Sequence, residues 1–361
     1  MMRITFVVPA LETSGGARIV AGHARLLAEK GHDVVIVGPS PRKRTVKNRV
    51  KAFLRREPAH STQEQSHYSR AGVPIEIIGP ADRLQAESFP DADVVIATFW
   101  KTVEWIWPLP PSKGAKVHFI QGYEVFTGVP TEPVDAVWRL PTHKIAVSQW
   151  LVELGRERFG ADDIALVPNS VDHHLFDFKP RGKSDIPTVG YLFSGADFKD
   201  APSSLAAVTA LKRSMPDLKV LSFGAVRPRA DQLLPGTDFR YLPSQDEIAD
   251  IYSRCDAWLS TSRQEGFNLP PIEAMACGCP AVCTKTGRPL EIIEDGVNGF
   301  LVDQGEVEGF RNGLARILSL PDDAWRKMSE AAARSIAHPT WAETSALFED
   351  ALRRSINASR T

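Results

Sequence analysis

Short apolar runs alternate with helical patterns twice along this chain, and that alternation restricts it to a parallel α/β architecture. Ile4-Thr-Phe-Val-Val8 is rich in β-branched residues and reads as a buried strand. Residues 9–14 form a loop, Gly15-Gly16 opens a helix reaching about residue 30, and Asp33-Val-Val-Ile-Val37 is the next strand. Strand, helix and strand in this order make a βαβ unit, with parallel strands and a right-handed crossover. Val94-Val-Ile-Ala-Thr98, Lys116-Val-His-Phe-Ile120, Lys144-Ile-Ala-Val147 and Ile164-Ala-Leu-Val167 continue the pattern, with a helix over 149–159. Pro168-Asn-Ser-Val-Asp172 has turn chemistry and reads as a hinge. A second alternation follows, with strands at Val189-Gly-Tyr-Leu192, Lys219-Val-Leu-Ser222, Phe239-Arg-Tyr241, 257–261, Ala281-Val-Cys283 and Gly299-Phe-Leu-Val302. Helices are expected over 203–214, 246–255 and beyond 306, with breaks at Leu320-Pro321 and His338-Pro339. Two cores suit 361 residues better than one. The expected class is therefore α/β, with two doubly wound halves and a ligand cleft between them.

Charge and composition exclude several functions. A net charge of −1 argues against nucleic acid as a partner, because phosphate-backbone binding wants surplus positive charge. No apolar run approaches the roughly 20 residues that span a bilayer. The start, Met1-Met-Arg-Ile-Thr-Phe-Val-Val8, reads as a strand and not as a signal peptide. Three of four cysteines crowd between 277 and 283, which is no disulfide framework. A cytoplasmic protein is expected. Residues 42–56 hold eight basic side chains, with Val46, Val50, Phe53 and Leu54 at helical spacing. Such a stretch suits either a solvated loop or docking on the inner, anionic face of a membrane.

The densest chemistry lies in Glu265-Gly-Phe-Asn-Leu-Pro-Pro-Ile-Glu273. An apolar strand precedes it and Pro271-Ile-Glu-Ala-Met-Ala-Cys277 continues it as a helix. A strand, a tight loop and a helix converge several N–H groups and one helix-dipole end on a single point, which attracts phosphate. Glu265 would stand at the loop mouth, beside a sugar attached to that phosphate. Glu273 would stand about one turn into the helix, near a nucleoside hydroxyl. Gly15-Gly16 would allow backbone to approach phosphates from the other half. Ser14-Gly-Gly-Ala-Arg-Ile lacks the Gly-x-Gly-x-x-Gly fingerprint, which counts against an NAD enzyme.

This two-glutamate segment, with Gly278-Cys-Pro-Ala-Val282 after it, resembles the signature of retaining glycosyltransferases of the GT-B fold, chiefly glycosyltransferase family 4. The resemblance is strongest from Tyr252 to Val302. It implies a domain of residues 1–168 plus 341–361 on the acceptor side and a nucleotide-sugar domain of residues 169–340. It implies that Glu273 binds the donor ribose and Glu265 the donor sugar, the catalytic position. The amides of Asn268 and Leu269, in the Gly266-Phe267-Asn268-Leu269 turn, would face the diphosphate. Lys199, in Gly190-Tyr-Leu-Phe-Ser-Gly-Ala-Asp-Phe-Lys199, matches the lysine of the family's basic diphosphate pair, while its arginine is replaced by Ser194. Arg227, Arg229 or Arg263 could supply that charge.

Phe119-Ile-Gln-Gly-Tyr-Glu124 looks like a Phe-Ile-Gln-Asp-Tyr-Glu segment of rhamnosyltransferase-like members, which suggests that Gln121, Tyr123 and Glu124 contact acceptor or sugar. The implied activity is metal-independent, cofactor-free transfer of a sugar from a nucleotide-sugar to a hydroxyl of a glycan or lipid-linked acceptor, in polysaccharide or cell-envelope synthesis. A nucleotide-sugar epimerase and a non-catalytic sugar-binding subunit are the alternatives. Cys277, Cys279 and Cys283 have no nearby His and read as buried packing, not as a metal site. Trp100, Trp105 and Trp107 suit either core or an aromatic wall for a sugar.

Overall fold

The computed structural model describes residues 1–11, 14–40, 66–125 and 128–359. The basic stretch over 42–56 lies outside the described residues. The chain divides into two compact units, one of Met1–Asn169 with Ala342–Thr361 and one of Ser170–Trp341.

The first unit holds β1 (Arg3–Val7), β2 (Asp33–Gly38), β3 (Ile75–Ile77), β4 (Val94–Ala97), β5 (Ala115–Ile120), β6 (His143–Ala146) and β7 (Ile164–Leu166). They form one sheet in the order β3-β2-β1-β4-β5-β6-β7. Every pairing is parallel, with Ile4 opposite Val34 on one side and Val94 on the other. β1, β4 and β5 are apolar throughout most of their length because helices cover both faces of a parallel sheet. The helix Gly15–Glu29 follows β1 and is capped by Ser14, whose hydroxyl accepts from Ala17 N–H at 3.2 Å. The last helix, Trp341–Ala358, buries Phe348 against Phe6, His23 and Phe119.

The second unit holds β8 (Thr188–Leu192), β9 (Lys219–Gly224), β10 (Asp238–Tyr241), β11 (Ala257–Ser260), β12 (Ala281–Thr284) and β13 (Gly299–Val302). Their order is β10-β9-β8-β11-β12-β13, again all parallel. Its core joins Val189, Tyr191, Leu259 and Val282 to Phe310, Leu314 and Trp325 from the Val307–Leu318 and Asp322–Ser335 helices.

The expected strands stand within a residue or two of their places. The short strand β3 and the helices Trp100–Ile106 and Thr131–Arg139 are additions. The helix Trp100–Ile106 holds Trp100 and Trp105 of the tryptophan cluster. Trp100 is buried at its start, whereas Trp107, just past its end, is exposed. All four cysteines are free and buried. Burial, with Glu273 nearby, pushes the Cys277 thiol up to about 12, so its thiolate is costly to form.

Candidate active site

The winding of the second sheet reverses between β8 and β11, and open α/β sheets take ligands at the carboxyl ends of the two strands flanking such a reversal. The loop after β8 carries Lys199 and the loop after β11 carries Glu265. Their ammonium and carboxylate meet at 2.5 Å, with side chains only 19% and 10% exposed.

The β11 loop is pinned along its length. Glu265 N–H donates to Thr286 Oγ1 at 3.1 Å, and Arg288 N–H donates to Phe267 O at 2.8 Å. Between these anchors Gly287 has φ +64°, and a Cβ there would lie 2.8 Å from Phe267 O. Only glycine permits this contact. Asn268 then turns the chain with φ +70°, a conformation that Asn tolerates better than other side chains. Its side-chain amide donates to Ser260 Oγ at 3.0 Å and fixes the turn to the end of β11.

The helix Leu269–Ala276 begins at once. A helix start leaves four amides without helical acceptors, but Pro270 and Pro271 have no N–H to offer. That leaves the Asn268 and Leu269 amides as the donors this helix start presents, on the same loop as Glu265.

Glu273 lies one turn further along this helix and is buried. It accepts a hydrogen bond from Tyr252 OH at 3.1 Å. Tyr252 is itself fully buried against Trp258, with ring centroids 4.6 Å apart. Tyr252 and Thr286 are site residues that sequence reasoning missed. Thr286 carries a signal, its place just past the carboxyl end of β12, whereas Tyr252 lies near the end of the Gln245–Arg254 helix that leads into β11.

The three arginines proposed to replace the charge absent at Ser194 are already engaged, two in ion pairs and one on an aromatic ring. Arg263 makes a two-point ion pair with Asp200, Arg229 pairs with Asp231, and Arg227 stacks on the Tyr241 ring at 4.1 Å. Ser194 Oγ accepts from Ala196 N–H at 3.2 Å and shapes its own loop.

In the first unit the sheet reverses between β1 and β4. Gly16 and Gln121 are neighbours there: a Cβ on Gly16 would stand 3.3 Å from Gln121 Oε1. Gly15 precedes it in the first helical turn. Glu124 is buried and accepts from Trp100 N–H at 2.7 Å, at the head of the Trp100–Ile106 helix. Burial pushes its carboxyl up to about 8, against the opposing pull of the Trp100 amide. Tyr123 turns its hydroxyl to Asp135 at 2.6 Å, and Arg158 holds the other oxygen of that carboxylate at 2.8 Å. That hydroxyl is occupied inside the unit. A cavity of about 490 Å³ opens at the opposite, amino edge of this sheet, beside Arg3, Lys116 and His143, away from all these residues.

The solved structure of Anabaena Alr3699/HepE in complex with UDP-glucose aligns over 98% of this chain and 100% of its own, at 16% identity and a TM-score of 0.74. The fold is GT-B. Within this GT-B chain, residues 179–335 match the family model for glycosyl transferases group 1. That segment contains Lys199, Asn268, Glu265 and Glu273. N-acetyl-alpha-D-glucosaminyl L-malate synthase of Bacillus anthracis is 33% identical over 96 residues, 27% of this chain and 25% of that protein. D-inositol 3-phosphate glycosyltransferase of Mycobacterium tuberculosis H37Ra is 33% identical over 137 residues, 36% of this chain and 28% of that protein. The chain thus spans between a quarter and a third of the length of these two curated relatives. Among the described residues no helix is long and apolar enough to cross a membrane.

Proposed function

We propose that this protein is a retaining, metal-independent glycosyltransferase of family 4 type, moving a sugar from a nucleotide-sugar to a hydroxyl of a glycan or lipid-linked acceptor. The observation that carries this reading is the Lys199–Glu265 pair at the reversal point of the second sheet, where the loop of Glu265 leads into the helix start at Asn268 and Leu269. An ammonium and two amides converge where a leaving diphosphate gathers charge, and fixed donors of this kind lower a barrier without reorganising. The same groups give the reading its independence from metal, and turnover unaffected by EDTA is the expected result.

Glu265 orients the transferred sugar, and the departing diphosphate takes the acceptor proton on the same face, which retains configuration. Glu273 holds the ribose through a carboxylate that Tyr252 steadies at one oxygen. Gln121, beside Gly16, is the residue of the first sheet assigned to sugar contact. The structural neighbour's complex with UDP-glucose makes uridine nucleotides the first probes, and a glycan acceptor would put the protein in polysaccharide or cell-envelope synthesis. Residues 42–56 would hold the enzyme on an anionic membrane face. Neutralising Arg42, Lys43 and Arg44 is then expected to lower liposome binding.

The test has two stages. A thermal-shift screen over UDP, GDP, dTDP and ADP should show one nucleotide raising the melting temperature, because a ligand of the native state stabilises it. Membrane extract with the matching labelled nucleotide-sugars should then show transfer into glycan or lipid. Isomerisation of the donor alone, followed by NMR, would favour an epimerase. Binding without turnover would favour a sugar-binding subunit, the reading that Ser194 supports.

A further inference from the structure

We infer that the Asp200–Arg263 ion pair is a brace that sets the Lys199 ammonium at the diphosphate position, so that Asp200 and Arg263 are positioning residues. The inference rests on the proposed function.

Three consecutive residues of the β8 loop are tied to the exit of β11. Arg263 N–H donates to Phe198 O at 2.7 Å, and Thr261 Oγ1 donates to Asp200 O at 2.9 Å. Between these anchored carbonyls stands Lys199. Asp200 is 3% exposed and takes φ +47°, a conformation rare for a side chain-bearing residue. Its carboxylate receives Arg263 Nε at 3.1 Å on one oxygen and Nη2 at 3.2 Å on the other, with Ser203 Oγ donating at 2.9 Å.

The geometry fits positioning better than stability. The Arg263 side chain is 51% exposed, and an ion pair with one exposed partner adds little to global stability. The planar guanidinium fork nevertheless fixes orientation at two points, which an ammonium cannot do. A lysine has four rotatable bonds to order, so its charge is preorganised only if its backbone is. The brace supplies that backbone, and Glu265 holds the far end of the side chain.

Inorganic pyrophosphate tests this without knowledge of the base. Calorimetric titrations would compare wild type, Lys199→Ala, Asp200→Asn and Arg263→Lys, each with its melting temperature. Asp200→Asn separates the two readings by sign. It removes a negative charge near an anion site, so a purely electrostatic role tightens pyrophosphate binding. A brace loosens it, by on the order of tenfold, because a small misplacement of a fixed group is costly. Arg263→Lys keeps the charge and is expected to weaken binding with an unchanged melting temperature. Asp200→Asn added to Lys199→Ala is expected to have no further effect, because the two act through one ammonium. Equal or tighter pyrophosphate binding by Asp200→Asn overturns the brace and leaves the proposed function standing. A wild type that ignores pyrophosphate overturns both. Should Asp200→Asn fail to fold, Arg263→Lys decides alone: wild-type affinity in that variant overturns the brace.

Discussion

Two sheets in this chain are wound alike, and their carboxyl edges hold different chemistry. At the reversal of the second sheet, two loops meet through charge: Lys199 on Glu265, with Arg263 on Asp200 behind them. At the reversal of the first sheet, loops meet through packing and a sequestered acid: Gly16 against Gln121, and Glu124 buried under the Trp100 amide. Topology selects the place where a ligand can sit. The charges fixed there select the ligand. The family-model match covers residues 179–335, which is the half with the fixed charges.

The contrast is broken or upheld most strongly by Glu265→Gln. This variant keeps the shape of the side chain and removes the charge facing Lys199. Turnover is expected to fall by roughly 100- to 1000-fold, as when one transition-state stabilising group is lost, while nucleotide affinity changes far less. Steady-state kinetics with the matching donor measure it. Wild-type turnover would remove Glu265 from the mechanism, and an equal fall in Glu124→Gln would erase the difference between the two edges.

Glu273→Ala comes next. It takes away a buried carboxylate on the same helix and, with it, the bond from Tyr252 OH. Nucleotide binding should weaken by ~1.5–3 kcal/mol, the cost of a charged hydrogen bond. Unchanged affinity in calorimetry contradicts the ribose role.

Much of this site was legible because its residues are close in sequence. Glu265 and Glu273 share one loop and helix, so a local pattern is enough to place them. Both sheets were legible for a similar reason, since strands buried on both faces are written as unbroken apolar runs. What the sequence hides is pairing across the fold. Asp200 and Arg263 are 63 residues apart, and Tyr252 and Glu273 are 21 apart. No spacing rule connects such partners. Tyr123, read as a ligand contact from its place at a strand's carboxyl end, has a hidden partner as well. Its hydroxyl is satisfied internally by Asp135. Burial pushes that phenol up to about 12, with the Asp135 carboxylate acting in the same direction.

Glu124 offers a smaller, pH-dependent comparison. Its folded carboxyl titrates at about 8, above its usual value of 4.5. Between those values the folded state holds a proton that the unfolded state has released, so stability falls as pH rises. Glu124→Gln cannot titrate and removes this slope. From pH 6 to pH 7 the wild type should lose ~1 kcal/mol relative to the variant, read from urea midpoints. Parallel pH profiles would show Glu124 ionised in the folded protein and make the first edge a charged one after all.

Glu349 provides the smallest effect and the opposite sign. It lies on the Trp341–Ala358 helix of the first unit, where one carboxylate meets Arg353 at 2.7 Å and Lys30 and His32 at 3.2 Å each. The Arg353 hydrogen bond leads in holding its carboxyl down, to about 2, with Lys30 and His32 adding to the pull. A depressed carboxylate stabilises the fold above its unfolded value near 4.5, and that contribution is lost as pH falls towards 2. Glu349→Gln is therefore expected to lower stability at pH 7 by ~0.5–1 kcal/mol, because neighbours in this cluster remain partly solvated. The deficit should shrink as the pH is lowered to 3. This cluster ties the last helix to the first unit and is remote from the reversal point, so nucleotide affinity and turnover should not move. A loss of turnover in folded Glu349→Gln would mean that the charge contrast between the two carboxyl edges is not what divides their roles.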